Sequence, residues 1–180
     1  TAIFSSWFCP EKLQKPLHSL VNLLAGIPSI VYGFFGMVVL VPWVREHMTG
    51  SGNSVFTASI VLAVMILPTV AGVSEAAIRA VPSMYYDGAR ALGLSHERSV
   101  LFAVVPAARS GIFASIVLGI GRAVGETMAV IMVAGNQAHI PSSLFDGVRT
   151  LTTNIVLEMG YAADLHRGAL IATGAMLFII

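Results

Sequence analysis

Long stretches of this chain carry no charge at all, and a chain built that way has few folds open to it. Leu20 to Val44 is 25 residues without an Asp, Glu, Lys or Arg, and Val55 to Val73 is a second such run. At a rise of ~1.5 Å per residue, a helix of that length is what crossing ~30 Å of hydrocarbon requires. A third apolar run, Gly111–Ala134, and a fourth that begins at Gly168 and reaches Ile180 follow the same plan. The chain is 56% hydrophobic and 11% charged, with mean hydropathy +0.84. Soluble domains are about 45–50% apolar and about 25% charged, so the expected class is an all-α, polytopic membrane protein. Spans are expected at about 20–44, 55–73, 111–134 and 168–180, in one transmembrane domain covering 1–180.

Prolines and glycines mark the finer divisions. Trp7, Phe8, Pro10, Glu11, Lys12, Lys15 and Pro16 give residues 1–19 the look of a connection between spans. Pro28 is read as the start of the first true span, with Trp43 in the aromatic belt at its exit. Gly33 and Gly36 leave room for a neighbouring helix, and Pro68 is expected to kink the second span. In the polar segment Asn136–Arg167, Asp146 is expected to cap a short helix ending near Gly160, with Val148, Leu151, Ile155 and Met159 on one side.

Between the second and third spans lies a polar interruption of about 30 residues, Arg79–Arg109. Few membrane proteins need so much chain for a turn, and this one has its own helix grammar. Pro82 and Ser83 suit a helix start, and Gly93 suits the left-handed residue just past a helix end. Ser95 can cap a second helix, with Glu97 in its first turn, and Pro106 should break or kink it. The prediction is a helix–Gly–helix elbow outside the bilayer. Tyr85, Ala89 and Leu92 recur at i, i+4 and i+7, and Gly88 beside them permits close approach. A short helix with a small apolar face and flanking arginines is suited to a groove on another protein.

The third span contains Arg122 and Glu126. A charge near the bilayer centre costs at least ~2.5–3.5 kcal/mol on insertion scales, so such residues turn inward and mark function. Ser115, Gly119, Arg122, Glu126 and Ala129 recur at three- and four-residue steps, and Gly125 widens this small, polar stripe. The architectural alternative is an Arg122–Glu126 pair that only holds helices together; Arg ahead of Glu is the weaker order for it.

Missing motifs narrow the field. Lys12 and Lys15 are the only lysines, neither follows a glycine, and no G-x-x-x-x-G-K-[ST] cradle for ATP phosphates exists. His96-Glu97 lacks the second histidine of a zinc protease, no G-x-S-x-G occurs, and five scattered histidines have no metal spacing. Neither a catalytic residue nor a cofactor or metal is therefore expected. The single Cys9 excludes an intrachain disulfide. Basic residues do not interleave with aromatics, which speaks against nucleic acid. Lys12, Lys15, Arg79, Arg90, Arg98 and Arg109 flank one side of the alternating spans, against Arg45, Arg149 and Arg167 on the other. The positive-inside rule then puts the elbow in the cytoplasm and 136–167 outside.

Two motifs resemble a known family. Asp87-Gly88-Ala89, then Gly93, then Val104-Val105-Pro106 resembles the EAA loop of ABC-importer permeases: Glu-Ala-Ala, three residues, Gly, nine residues, Ile-x-Leu-Pro. Asp87 stands for the Glu, Gly88 for the first Ala, and Ala103 and Val105 for the Ile and Leu. Glu75-Ala76-Ala77 is a literal EAA string without the downstream glycine, and is read as chance. The run Gly121-Arg122-Ala123-Val124-Gly125-Glu126-Thr127-Met128-Ala129-Val130, with Gly135-Asn136 after it, is similar to phosphate-specific permeases of the PstC type. Leu24-Ala25-Gly26-Ile27-Pro28-Ser29-Ile30-Val31-Tyr32-Gly33 is similar to the start of a core helix there.

The resemblance implies a type I importer (MetI-like) fold in the bacterial inner membrane, and a subunit without its own ATP site. It also implies cytosolic ATP-binding subunits docked on 79–109, a similar second permease subunit and an external phosphate-binding protein. The expected function is the channel-forming subunit of a phosphate importer. Arg122, Glu126, Ser115, Gly119 and Gly125 would lie on the path, and Tyr85, Asp87, Gly88, Ala89, Leu92, Gly93 and Pro106 would couple to the ATPase. A permease for another oxyanion and an ion-coupled secondary carrier are the alternatives. Thr1 in place of Met, and a chain that stops within Leu177-Phe178-Ile179-Ile180, are read as the ends of a fragment.

Overall fold

Proline decides where several of the helices begin and bend. The computed structural model describes residues 1–179 and, among these, every side chain but that of Glu11. Helix α1 (Glu11–Gly26) stops short of Pro28, whose φ of −59° and ψ of 142° open α2 (Ser29–His47). The run read as 20–44 is thus two helices. Within α2, the Val41 N–H reaches back five residues to the Gly36 carbonyl, one turn before Pro42. Helix α5 (His96–Ala107) repeats the device: the Val105 N–H bonds to the Val100 carbonyl just ahead of Pro106. A proline ring collides with the carbonyl four residues back, and a widened π turn makes room for it. The expected kink follows two residues after Pro106, where α5 meets α6 (Arg109–Val124) at 66°. Pro68 interrupts nothing; α3 runs unbroken from Val55 to Arg79.

The third apolar run differs from the single helix expected over 111–134. Helix α6 ends at Val124, residues 125–127 are non-helical, and α7 (Met128–Val133) resumes. Helix α4 (Ser83–Ala91) forms the first arm of the elbow, and α8 (Leu151–Glu158) and α9 (Asp164–Ile179) close the chain. The last run, 168–180, extends to Ile180, outside the described residues. All elements among the described residues are helical, with one isolated parallel bridge between Gly135 and Val148. By length and composition α2 and α3 can each cross a membrane, and α5 with α6 can if the bent pair is one span.

The chain forms two compact units: Thr1–Gly26 with Ile66–Ala123, and Ile27–Met65 with the chain from Val124 on. In the first, small residues bring α6 against α3. Gly111 faces Ala77, the Ser115 and Ser74 hydroxyls bond at 2.7 Å, and a Cβ on Gly119 would lie 2.6 Å from Val70. In lipid no hydrophobic force drives helices together, so such close packing carries the pairing. Ile78, Val104 and Ala108 form a buried core joined by Trp7, Tyr86 and Ile112. Glu75, 9% exposed, accepts from Arg79 Nε at 3.0 Å and lies 2.9 Å from His18 Nε2.

In the second unit Gly33 and Gly36 of α2 carry the close approach. Their Cβ positions would fall 2.7 Å from Ala129 Cα and 2.7 Å from Val61 Cγ2. Ala129, which Gly33 faces, and Val133, which Gly36 faces, are buried, as are Val130 and Ala134.

Candidate functional site

The charged stripe of the third run divides at the helix break. Ser115 and Gly119 are buried in the α3–α6 contact, and Gly111 extends that line one turn earlier. Arg122, at its far end, is exposed and donates from Nη1 to the Thr69 hydroxyl at 3.0 Å. Thr69 follows Pro68 in α3. The sequence showed it only as a polar residue in an apolar span, and its partner depends on helix register.

Gly125 and Glu126 stand in the break. An i,i+4 relation between Arg122 and Glu126 requires a continuous helix, and the helix ends before Glu126. Its carboxylate has a different partner: Oε1 accepts the Ala129 N–H at 3.0 Å. That amide is one of the donors a helix start leaves unsatisfied, so Glu126 caps α7 from outside its first turn. The Glu126 carbonyl accepts from the Thr152 hydroxyl at 3.1 Å. Thr127, the residue at the cap position, makes no capping bond of its own.

At the other end of α7 the backbone takes two left-handed steps, Gly135 at φ 85° and Asn136 at φ 53°. Asn136 Nδ2 donates to the Ile131 carbonyl at 2.8 Å, while its Oδ1 is buried without a partner among the described residues. Arg149 donates to the Asn136 carbonyl at 3.0 Å and pairs with Glu158 at 2.8 Å.

Asp146 does not cap α8. Thr150 does, accepting the Thr153 N–H at 3.3 Å. Asp146 lies four residues upstream and instead closes a turn, accepting from Ser142 N at 2.8 Å, Ser142 Oγ at 2.7 Å and Ser143 N at 2.9 Å. The Ser142 hydroxyl and those two amides hold its carboxyl below the usual range.

In the elbow, α4 follows Pro82, and Gly93 takes φ 87°. The Leu94 N–H returns to the Ala89 carbonyl and the Gly93 N–H to Arg90, the double bond pattern of a Schellman end. Ser95 caps α5, accepting the Arg98 N–H. The expected apolar face divides in two. Ala89 is buried, whereas Tyr85 is half exposed and Leu92 84% exposed, with Met84 beside them at 72%. A Cβ on Gly88 would meet nothing within 4 Å, and Asp87 is exposed. A groove of about 450 Å³ adjoins Pro82 and Tyr85, floored by Ala77, Ala107, Ala108 and Gly111. Sequence reading missed what holds the elbow from within: His96 lies 2.9 Å from the Tyr86 hydroxyl and 3.3 Å from the Trp7 carbonyl. Trp7 O can only accept, so Nε2 is the donor in that bond. Among the described residues no cluster of His, Cys, Asp and Glu is placed to hold a metal.

Apolar helices, small-residue packing and a broken, charged helix define a multi-helix membrane protein. The family model for the binding-protein-dependent transport system inner membrane component matches residues 2–180, and the chain belongs to that family. It is 40% identical over 182 residues to the probable ABC transporter permease protein YqgH of Bacillus subtilis, covering 99% of this chain and 59% of that protein. It is 36% identical to the phosphate transport system permease protein PstC of Pasteurella multocida, covering 99% of this chain and 62% of that protein. The same figures hold for PstC 2 of Mycobacterium tuberculosis. The chain spans about three fifths of the length of these curated relatives.

Proposed function

We propose that this chain is the channel-forming part of an ATP-driven importer of inorganic phosphate. The observation that carries the reading is the match, over 99% of the chain, to proteins named as phosphate transport system permeases. The run Gly121–Val130 that suggested phosphate in the sequence contains the helix break. In this reading a binding protein delivers phosphate at 136–167, and ATP-binding subunits dock on 79–109 and hydrolyse the ATP. A similar second permease subunit completes the path. Arg122 offers the anion a guanidinium that stays charged and can grip two phosphate oxygens in a fork. Glu126, its carboxylate held by the Ala129 N–H, is proposed to line the path at the helix break.

Phosphate uptake by the full-length complex in proteoliposomes, with sulfate and molybdate as competitors, tests the substrate. Competition by either at phosphate-like concentrations supports another oxyanion, an option that the substrate-free name of the Bacillus subtilis relative keeps in view. Arg122 is exposed and has one side-chain partner among the described residues, so Arg122→Gln should assemble and hydrolyse ATP yet lose uptake, and Arg122→Lys should keep part of it. Wild-type uptake by Arg122→Gln/Glu126→Gln would remove both residues from the path.

A further inference from the structure

Both ends of α7 are tied to one short piece of chain, residues 148–152. At the start, the Thr152 hydroxyl donates to the Glu126 carbonyl at 3.1 Å, while the Glu126 carboxylate is held by the Ala129 N–H. At the finish, the Val148 N–H donates to the Ala134 carbonyl at 2.8 Å and Arg149 Nε to the Asn136 carbonyl at 3.0 Å. Arg149 is itself anchored on α8 through Glu158 at 2.8 Å. The turn so gripped has two successive left-handed residues and a buried Asn136 Oδ1 without a partner among the described residues. Strain of that kind persists only where surrounding contacts over-determine the conformation.

We infer that residues 148–152 clamp the short helix α7 and so set the position of Glu126, with Thr152 and Arg149 as positioning residues. Main chain and side chain of Glu126 are both fixed, one by Thr152 and the other by α7. A displacement of α8 therefore reaches Glu126 as movement of one body. This rests on the proposed function and adds a regulatory step to it: binding-protein docking on 142–147, the turn ahead of the clamp, is read at the helix break through Thr152.

The test uses the full transporter complex in proteoliposomes with its binding protein. Thr152→Val removes the hydroxyl and keeps the shape; Thr152→Ser keeps the hydroxyl. Thr152→Val should lower the maximal binding-protein-stimulated ATPase rate and uptake about fivefold, the scale of one lost hydrogen bond. The half-saturating binding-protein concentration and the unstimulated ATPase rate should stay put, and Thr152→Ser should restore the maximum. A wild-type maximum in Thr152→Val overturns the clamp. So does a change in half-saturation alone, which would make Thr152 a docking contact, or a Thr152→Ser variant as poor as the valine. Should Thr152→Val fail to assemble, Arg149→Gln carries the same expectation from the other end, and failure of both to assemble makes the contacts architectural and overturns the proposal. A wild-type complex that moves no phosphate defeats the proposed function instead, before any variant is read.

Discussion

A glycine in α6 matters according to the side of the helix it occupies. Gly119 is buried, and a Cβ there would lie 2.6 Å from Val70 Cγ2; at Gly121 it would meet nothing within 4 Å. Overpacking a close contact costs about 1–3 kcal/mol, so Gly119→Val should lower the thermal midpoint of the detergent-solubilised protein. Gly121→Ala removes a flexible residue from a helix interior and should leave the midpoint unchanged or raise it, a gain of about 0.5–1 kcal/mol. Equal midpoints for the two variants would contradict the α3–α6 packing. Ser115 and Gly119 were expected to lie on the path as part of a small, polar stripe, and each has its own contact on α3. One stripe can serve either purpose, and only the neighbour's register, Ser74 and Val70, distinguishes them.

At the level of elements, the two candidate caps of α8 separate cleanly. Thr150→Ala should destabilise α8 by about 0.5–2 kcal/mol, seen as faster amide exchange over Leu151–Glu158, whereas Asp146→Asn should leave that helix alone. The Asp146 carboxyl has a different task and a pH signature. Its pKa is depressed in the fold, so its contribution is complete above the unfolded value and is lost as pH falls through the folded one. The Ser142 and Ser143 amide resonances should therefore hold through the ordinary carboxylate range and shift only below it; a midpoint at the ordinary value would deny the turn. Elements governed by local rules were legible: Pro82, Gly93 and Ser95 mark the elbow in sequence as they do in space. The break at Gly125–Thr127 was not, because Gly121 to Val133 keeps an unbroken helical period. Glu126 within that break is held by the Ala129 N–H and by the Thr152 hydroxyl, and Thr152 lies too far along the chain for a local pattern to show it. Asp146 was misassigned for a similar reason. Asp and Thr both cap helices, and the choice between them turns on where the backbone starts to coil.

For the whole molecule, the open question is how the elbow meets its proposed ATP-binding partner, and the surface it offers is specific enough to test. Basic residues concentrate beside it, the pattern from which the proposed function takes it to face the cytoplasm. Met84, Tyr85 and Leu92 stand exposed around Gly88, where a side chain would meet open space; Ala89, next in sequence, is buried. Neighbouring positions thus have opposite expectations. Gly88→Trp adds bulk only to the outer surface, so membrane insertion and thermal midpoint should match the wild type while the ATP-binding subunits no longer co-purify. Ala89→Trp forces the same ring into the chain's own packing and should lower the midpoint as well. The elbow is braced from behind by Trp7, Tyr86 and His96, so it cannot simply swing away to admit the new ring. Should Gly88→Trp keep its ATPase partner and its stimulated activity, the docking surface must lie off this face. The groove bounded by Pro82 and Tyr85 would be the next place to substitute, with Ala107→Trp the first variant.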